Sequence, residues 1–213
     1  MKKIYKLLAA GCLLLAVVSL SSCLSDSDNN NSDPEKEWKE WIDAVKAEIA
    51  AAVGNYAGYV YYQPDVMVSQ LDSVAVDWDI VSDSMMVLNR VPAHLLVDKM
   101  PETYADLKEA VNAMGTVSVK LKIAYNVYYK SPLLYYVYPE PVKLNVDVDG
   151  QTKAVEVDFF NTETNTQSFG QVLVSDGKCL VKLYPKTVRI DGASVKSFDS
   201  LDYAYLYWLG KKR

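Results

Sequence analysis

The chain has 213 residues, half of them apolar, with 22 basic and 27 acidic side chains, one histidine and three cysteines. An acidic balance with no basic run beyond Lys211-Lys212-Arg213 argues against nucleic acid as a partner and against electrostatic attraction to anionic headgroups. A single histidine excludes a His-rich metal site, no spacing matches structural zinc, and no cofactor is expected.

The first residues have the parts of an export signal: Lys2, Lys3 and Lys6, an apolar run from Leu7 to Val18, then Ser21 and Ser22. Leu20-Ser21-Ser22-Cys23 resembles the bacterial lipobox, in which the cysteine thiol takes a diacylglycerol. The run falls short of the about 20 residues that a membrane span needs. Residues 1–22 are therefore read as a lipoprotein signal peptide and Cys23 as the lipidated residue. The expected address is the outer membrane, lipid-anchored, on its periplasmic face or at the cell surface. Residues 23–33 are almost wholly polar and are expected to form a flexible tether. Residues 34–213 are expected to form one β-rich domain with an N-terminal helix.

Asp33-Pro34 suits a helix start, with Asp as N-cap and Pro at the first helical position. Trp38, Trp41, Ile42, Val45, Ile49 and Val53 form one apolar stripe, and Gly54 ends it. This helix is expected to lie across a sheet or plug a barrel end, with both tryptophans covered. Tyr56–Tyr62 reads as a strand, as do Val74–Ile80 and Met85–Val91 on either side of a turn at Val81-Ser82-Asp83-Ser84. Short helices follow at Pro92–Lys99 and Pro101–Met114, with Gly115 as the stop. The clearest strand puts Val117, Val119, Leu121, Ile123, Tyr125 and Val127 on one face. Leu133–Tyr138, Val142–Val148, Lys153–Phe160, Ser168–Val174, Lys178–Ile190 and Leu201–Leu209 continue the series. The order predicts a mainly β fold, an antiparallel barrel or sandwich of about eight to ten strands, with a helical insertion near 92–114.

Asn145, Asp147, Asp149, Gly150 and Glu156 fall on EF-hand positions, but the flanks alternate with period two where an EF-hand needs helices. Asp149-Gly150 reads instead as a two-residue hairpin turn. That register sets Val148 opposite Gln151, Leu144 opposite Val155, Val142 opposite Val157, and Lys143 opposite Glu156 as a charge pair.

Candidate chemistry is sparse. His94 lacks a placed nucleophile or a G-x-S-x-G context and is expected to be exposed or capping. Asp77 with Asp79, Asp147 with Asp149, and Glu156 with Asp158 are acid pairs of the type glycoside hydrolysis uses, but outward acids on alternating strands normally form a solvated surface. Cys179 alternates with Val181 and Leu183 and reads as a buried, inert strand cysteine. Tyrosine is the unusual feature, at sixteen residues. In the last strand Tyr203, Tyr205 and Tyr207 share one face while Ala204, Leu206 and Trp208 take the other. A tyrosine offers a flat apolar ring and a hydroxyl, which suits sugars and protein interfaces alike.

Together with the lipobox, Gly54-Asn55-Tyr56-Ala57-Gly58, Asp72-Ser73-Val74-Ala75-Val76-Asp77-Trp78, Asn89-Arg90-Val91-Pro92 and Thr166-Gln167-Ser168-Phe169-Gly170 give the chain a family likeness over about residues 50–208. It resembles small Bacteroides-type lipoproteins built on a domain of unknown function, and its Gly-x-Tyr-x-Gly opening is similar to calycin-like barrels. The resemblance implies a barrel and brings no activity, ligand or catalytic residue. The expected role is a non-catalytic envelope protein, held to the membrane by its N-terminal lipid, that binds another macromolecule, an envelope protein or a glycan. The alternative is a small-ligand or glycan module with a tyrosine-lined groove carrying Tyr203, Tyr205, Tyr207 and Trp208. A hydrolase with paired carboxylates is a third reading.

Overall fold

The structure, a computed structural model, describes residues 33–64, 70–198 and 205–213. Contacts divide the chain into residues 1–36, of which 33–36 are described, and residues 37–213. Cys23, Tyr203 and most of the expected tether lie outside the described residues.

Helix α1 (Pro34–Ala52) starts where Asp33 Oδ1 accepts the Glu35 amide at 3.1 Å. At its other end the Lys212 ammonium donates to the carbonyls of Ala51 and Val53, both at 2.6 Å, meeting two acceptors the helix leaves open. Val45 and Ala52 are its buried residues and belong to the hydrophobic core. Trp38 and Trp41 do not: they are 47% and 37% exposed. This corrects the expectation that both would be covered. The stripe buries through its C-terminal half, while its N-terminal half stays in solvent.

Among the described residues twelve strands follow. They are β1 (Gly54–Tyr62), β2 (Asp72–Ile80), β3 (Met85–Pro92), β4 (Thr116–Tyr125), β5 (Leu133–Pro139), β6 (Val142–Val148), β7 (Gln151–Phe159), β8 (Phe169–Leu173), β9 (Lys178–Leu183), β10 (Pro185–Ile190), β11 (Ala193–Ser197) and β12 (Leu206–Lys212). Eight close into an antiparallel barrel in the order β1-β12-β9-β8-β5-β4-β3-β2. The other four form a separate sheet, β11-β10-β7-β6. The fold is thus a barrel with an appended sheet, which settles the choice between barrel and sandwich. The helical insertion is a 3-10 turn at Ala93–Leu96, a second at Glu102–Tyr104, and helix α2 (Ala105–Ala113), which packs on β6 and buries Leu107 and Val111.

Lys178–Ile190 reads as one strand but is two. The chain leaves the barrel at Tyr184, so β9 pairs with β8 and β12, whereas β10 pairs with β7 and β11. The Asp149-Gly150 hairpin has the expected register, from Val148 opposite Gln151 to Val142 opposite Val157. Both turn residues have positive φ, 52° and 75°, as this turn requires. Lys143 Nζ reaches Glu156 at 3.2 Å.

The barrel interior is filled by side chains. Trp78, Trp208, Tyr56 and Tyr135 are essentially fully buried there. The Tyr56 ring stacks on Trp78, 5.9 Å apart and 8° from parallel, and its hydroxyl donates to Ala52 O at 2.6 Å. Small residues make the room. A Cβ on Gly58 would stand 2.1 Å from Leu209 O, and one on Gly210 would stand 2.2 Å from Ala57 O. These glycines face each other where β1 meets β12, the seam that closes the barrel.

Candidate functional site

Register decides which side of the barrel each aromatic side chain takes. Val60, Trp208 and Val181 stand opposite one another across β1, β12 and β9, and all are buried. One residue along, Tyr61, Tyr207 and Lys182 stand opposite one another and point the other way, outward. The Tyr61 and Tyr207 rings lie 6.1 Å apart, and Tyr59, 49% exposed, lies 6.2 Å from Tyr61. Beyond Tyr207, the Lys182 ammonium sits 5.2 Å from the Tyr184 ring and 5.4 Å from the Tyr205 ring. Those two rings are 6.0 Å apart. The same register continues from Lys182 to Phe169 and on to Tyr136, which is exposed. The outer wall therefore carries a row of aromatic rings around one cation.

The row is half-buried, and its charges respond to that. Burial, with Tyr184 feeling Tyr205 beside it, pushes the Tyr184 phenol up to about 12. Burial, with Tyr61 alongside, also raises the Tyr207 phenol, and burial lowers the Lys182 ammonium. Both phenols keep their protons at neutral pH; Tyr184 donates its own to Gln167 Oε1 at 2.6 Å, which leaves its oxygen to accept. The face thus offers flat apolar rings, hydroxyls that donate and accept, and one amine.

Of the sequence-derived site residues, Tyr205 and Tyr207 meet on this face. Trp208 is fully buried inside the barrel, between Val60 and Val181 in register, so the outer face does not include it. Tyr203 and Cys23 lie outside the described residues. Sequence reasoning missed Tyr59, Tyr61, Tyr184 and Lys182. The signal was present in β1, where Tyr59-Val60-Tyr61 alternates as Tyr207-Trp208 does. Barrel closure joins the first strand to the last and merges the two patterns into one surface.

Other candidates resolve into ordinary contacts. Asp79 accepts from Asn55 at 2.5 Å and Asn89 at 2.8 Å, and Asp77 pairs with Arg90 at 2.5 Å. Arg189 bridges Glu156 and Asp158. Asp147 accepts the Gly150 amide at 2.8 Å inside the turn. His94 is half-buried rather than exposed, its ring 6.4 Å from and edge-on to Tyr62. Among the described residues no group of three His, Cys, Asp or Glu is placed to hold a metal ion. The depression beside Tyr205, reaching Tyr62, Gln63 and Lys99, has a volume of about 10 Å³, room for one water-sized group. An open cleft of about 430 Å³ between β4 and β6 carries Lys120, Glu140 and Lys143 but no aromatic ring.

Cys179 is buried in the barrel, its Sγ 3.4 Å from Trp78 Nε1 and 3.6 Å from Tyr135 Oη. Burial pushes its thiol up to about 11. A buried thiol without its thiolate is not nucleophilic. Iodoacetamide at pH 8 is expected to leave Cys179 unmodified in the folded chain and to label it fully in denaturant, read from the mass of the Cys179 peptide.

A family model described as Domain of unknown function (DUF4840) matches residues 51–190. No curated protein matches the chain. No solved structure matches it either.

Proposed function

The chain belongs to the DUF4840 family, whose role is open, and we propose that its barrel is a non-catalytic binding module whose outer tyrosine face takes an extended glycan. The observation that carries this reading is the outward row of Tyr59, Tyr61, Tyr207, Tyr205 and Tyr184 around Lys182, set against an interior already filled. A ligand that lies along a wall is favoured over one that enters a cavity. The C–H faces of pyranose rings stack on tyrosine, while their hydroxyls bond to phenols and to the Lys182 amine. The leader motif ending at Cys23 supports display of this module on a lipid-anchored chain in the envelope.

The test is affinity electrophoresis of the protein through gels containing soluble starch, laminarin, xylan or dextran. At least one polysaccharide is expected to retard the wild type. The double variant Tyr61→Ala/Tyr207→Ala is expected to lose about 2 kcal/mol of that binding, roughly thirtyfold. Equal retardation of both proteins, or no retardation by any of the four, counts against the reading.

A further inference from the structure

A second aromatic surface forms where α1 meets the connection between β4 and β5. Trp38, Trp41, Tyr128 and Tyr129 are 47%, 37%, 73% and 51% exposed. Tyr128 is the most exposed large apolar side chain among the described residues. The patch is built rather than loose. Trp41 Nε1 donates to Val127 O at 2.8 Å, the Trp38 and Tyr128 rings are 5.9 Å apart, and the Lys130 ammonium sits 5.9 Å over the Trp41 ring. Two elements far apart in sequence hold each other so that their rings point into solvent. The other two tryptophans, Trp78 and Trp208, show no exposed surface at all.

Large exposed apolar patches on water-facing proteins have a use. Rings with a polar edge, tryptophan and tyrosine, are the side chains that settle at the headgroup level of a bilayer, where one part is apolar and the other wet. The position in the chain selects this occupant over others. The eleven residues from Cys23 to Asp33 are joined by ten peptide steps and span at most about 35 Å, and Trp38 follows within the first turns of α1. A lipid on Cys23 would thus be linked to the patch by one short polar segment. Around the patch Glu37, Glu40 and Asp43 are matched by Lys39, Lys46 and Lys130, so no local cation excess draws it to anionic lipid, and the acidic balance of the whole chain favours zwitterionic over anionic headgroups.

We propose that the Trp38–Trp41–Tyr128–Tyr129 surface rests in the headgroup layer of the membrane to which Cys23 is anchored, a second contact that orients the barrel on its tether. This rests on the lipobox reading and is independent of the glycan face.

The tryptophan inventory makes it testable. The full chain, lipidated in its host, is reconstituted into phosphatidylcholine vesicles with ordinary acyl chains or with chains brominated near the headgroup end. Because two of the four tryptophans lie on the patch, brominated lipid is expected to cut the emission by about half. The Trp38→Phe/Trp41→Phe variant should still float with the vesicles yet lose the bromine effect. Replacing part of the phosphatidylcholine with phosphatidylglycerol should weaken the quenching. A wild type that floats but emits equally in both vesicles overturns the proposal. So does protection of Trp38 and Trp41 from acrylamide without bromine quenching, which would place a protein surface on the patch. A wild type that fails to float overturns it at its premise.

Discussion

Replacing Gly170 by alanine is expected to destabilise the barrel by about 3 kcal/mol, the upper part of the range for overpacking a tight core. Gly170 lies on β8 opposite Tyr135 of β5 and Val181 of β9. A Cβ there would stand 2.0 Å from both Cε2 and Cζ of Tyr135, and 2.4 Å from its hydroxyl. A flexible neighbour would swing aside, but Tyr135 has nowhere to go. It is 1% exposed, its hydroxyl donates to Leu180 O at 3.0 Å, and its ring packs 5.5 Å from Tyr125. Moving the ring forfeits that hydrogen bond as well as the packing. In thermal unfolding the cost corresponds to roughly 6–12 °C for a domain of this size. The same substitution in a Tyr135→Leu background is expected to cost about 1 kcal/mol or less, because the clashing ring is gone. Equal costs in the two backgrounds would show that Tyr135 is not what Gly170 accommodates.

Alkali should unfold the protein more readily than the exposed tyrosines alone would suggest. Burial pushes the Cys179 thiol up to about 11, and burial with Cys179 nearby raises the phenols of Tyr56, Tyr125 and Tyr135. Each group keeps its proton in the fold at a pH where the unfolded chain has released it, so the unfolded state binds fewer protons and stability falls as pH rises. The stabilisation is complete below the ordinary thiol value of 9.0 and is lost as pH climbs toward 11 for Cys179. At about 1.4 kcal/mol per unit, that thiol alone accounts for about 3 kcal/mol. The tyrosines extend the loss above their ordinary value of 10.0. Urea midpoints should therefore hold steady from neutral to pH 9 and fall steeply between pH 9 and 11, with tyrosinate absorbance rising in step with unfolding. Midpoints that stay level through that window would contradict the buried Cys179–tyrosine cluster.

Local signals were readable in the sequence because they depend on neighbours. Asp149-Gly150 names its own turn, and the alternation around it sets the pairing of Val142 through Val157. The same dipeptide at Asp191-Gly192, with φ of 50° and 83°, turns β10 into β11. That strand was missed because Ser194, Lys196 and Ser197 give it a weak apolar pattern. Tyr184 hid the break between β9 and β10, since both halves are apolar and only the partner strands differ. Non-local pairing was out of reach for the same reason. That Tyr61 meets Tyr207, or that Gly58 meets Gly210, depends on barrel closure, which no local window contains. Trp38 and Trp41 misled in the other direction. Their spacing fits a buried stripe, and only the tertiary structure shows that the covered part of α1 starts nearer Val45.

The most direct measurement is a carbon–proton NMR titration of the tyrosine rings with oligosaccharides cut from the polysaccharide that retards the protein. Ring signals of Tyr59, Tyr61, Tyr205 and Tyr207 should shift together and saturate, while those of Tyr56, Tyr125 and Tyr135 inside the barrel stay in place. Shifts confined to the interior rings, or none on the outer face at saturating ligand, would contradict the account.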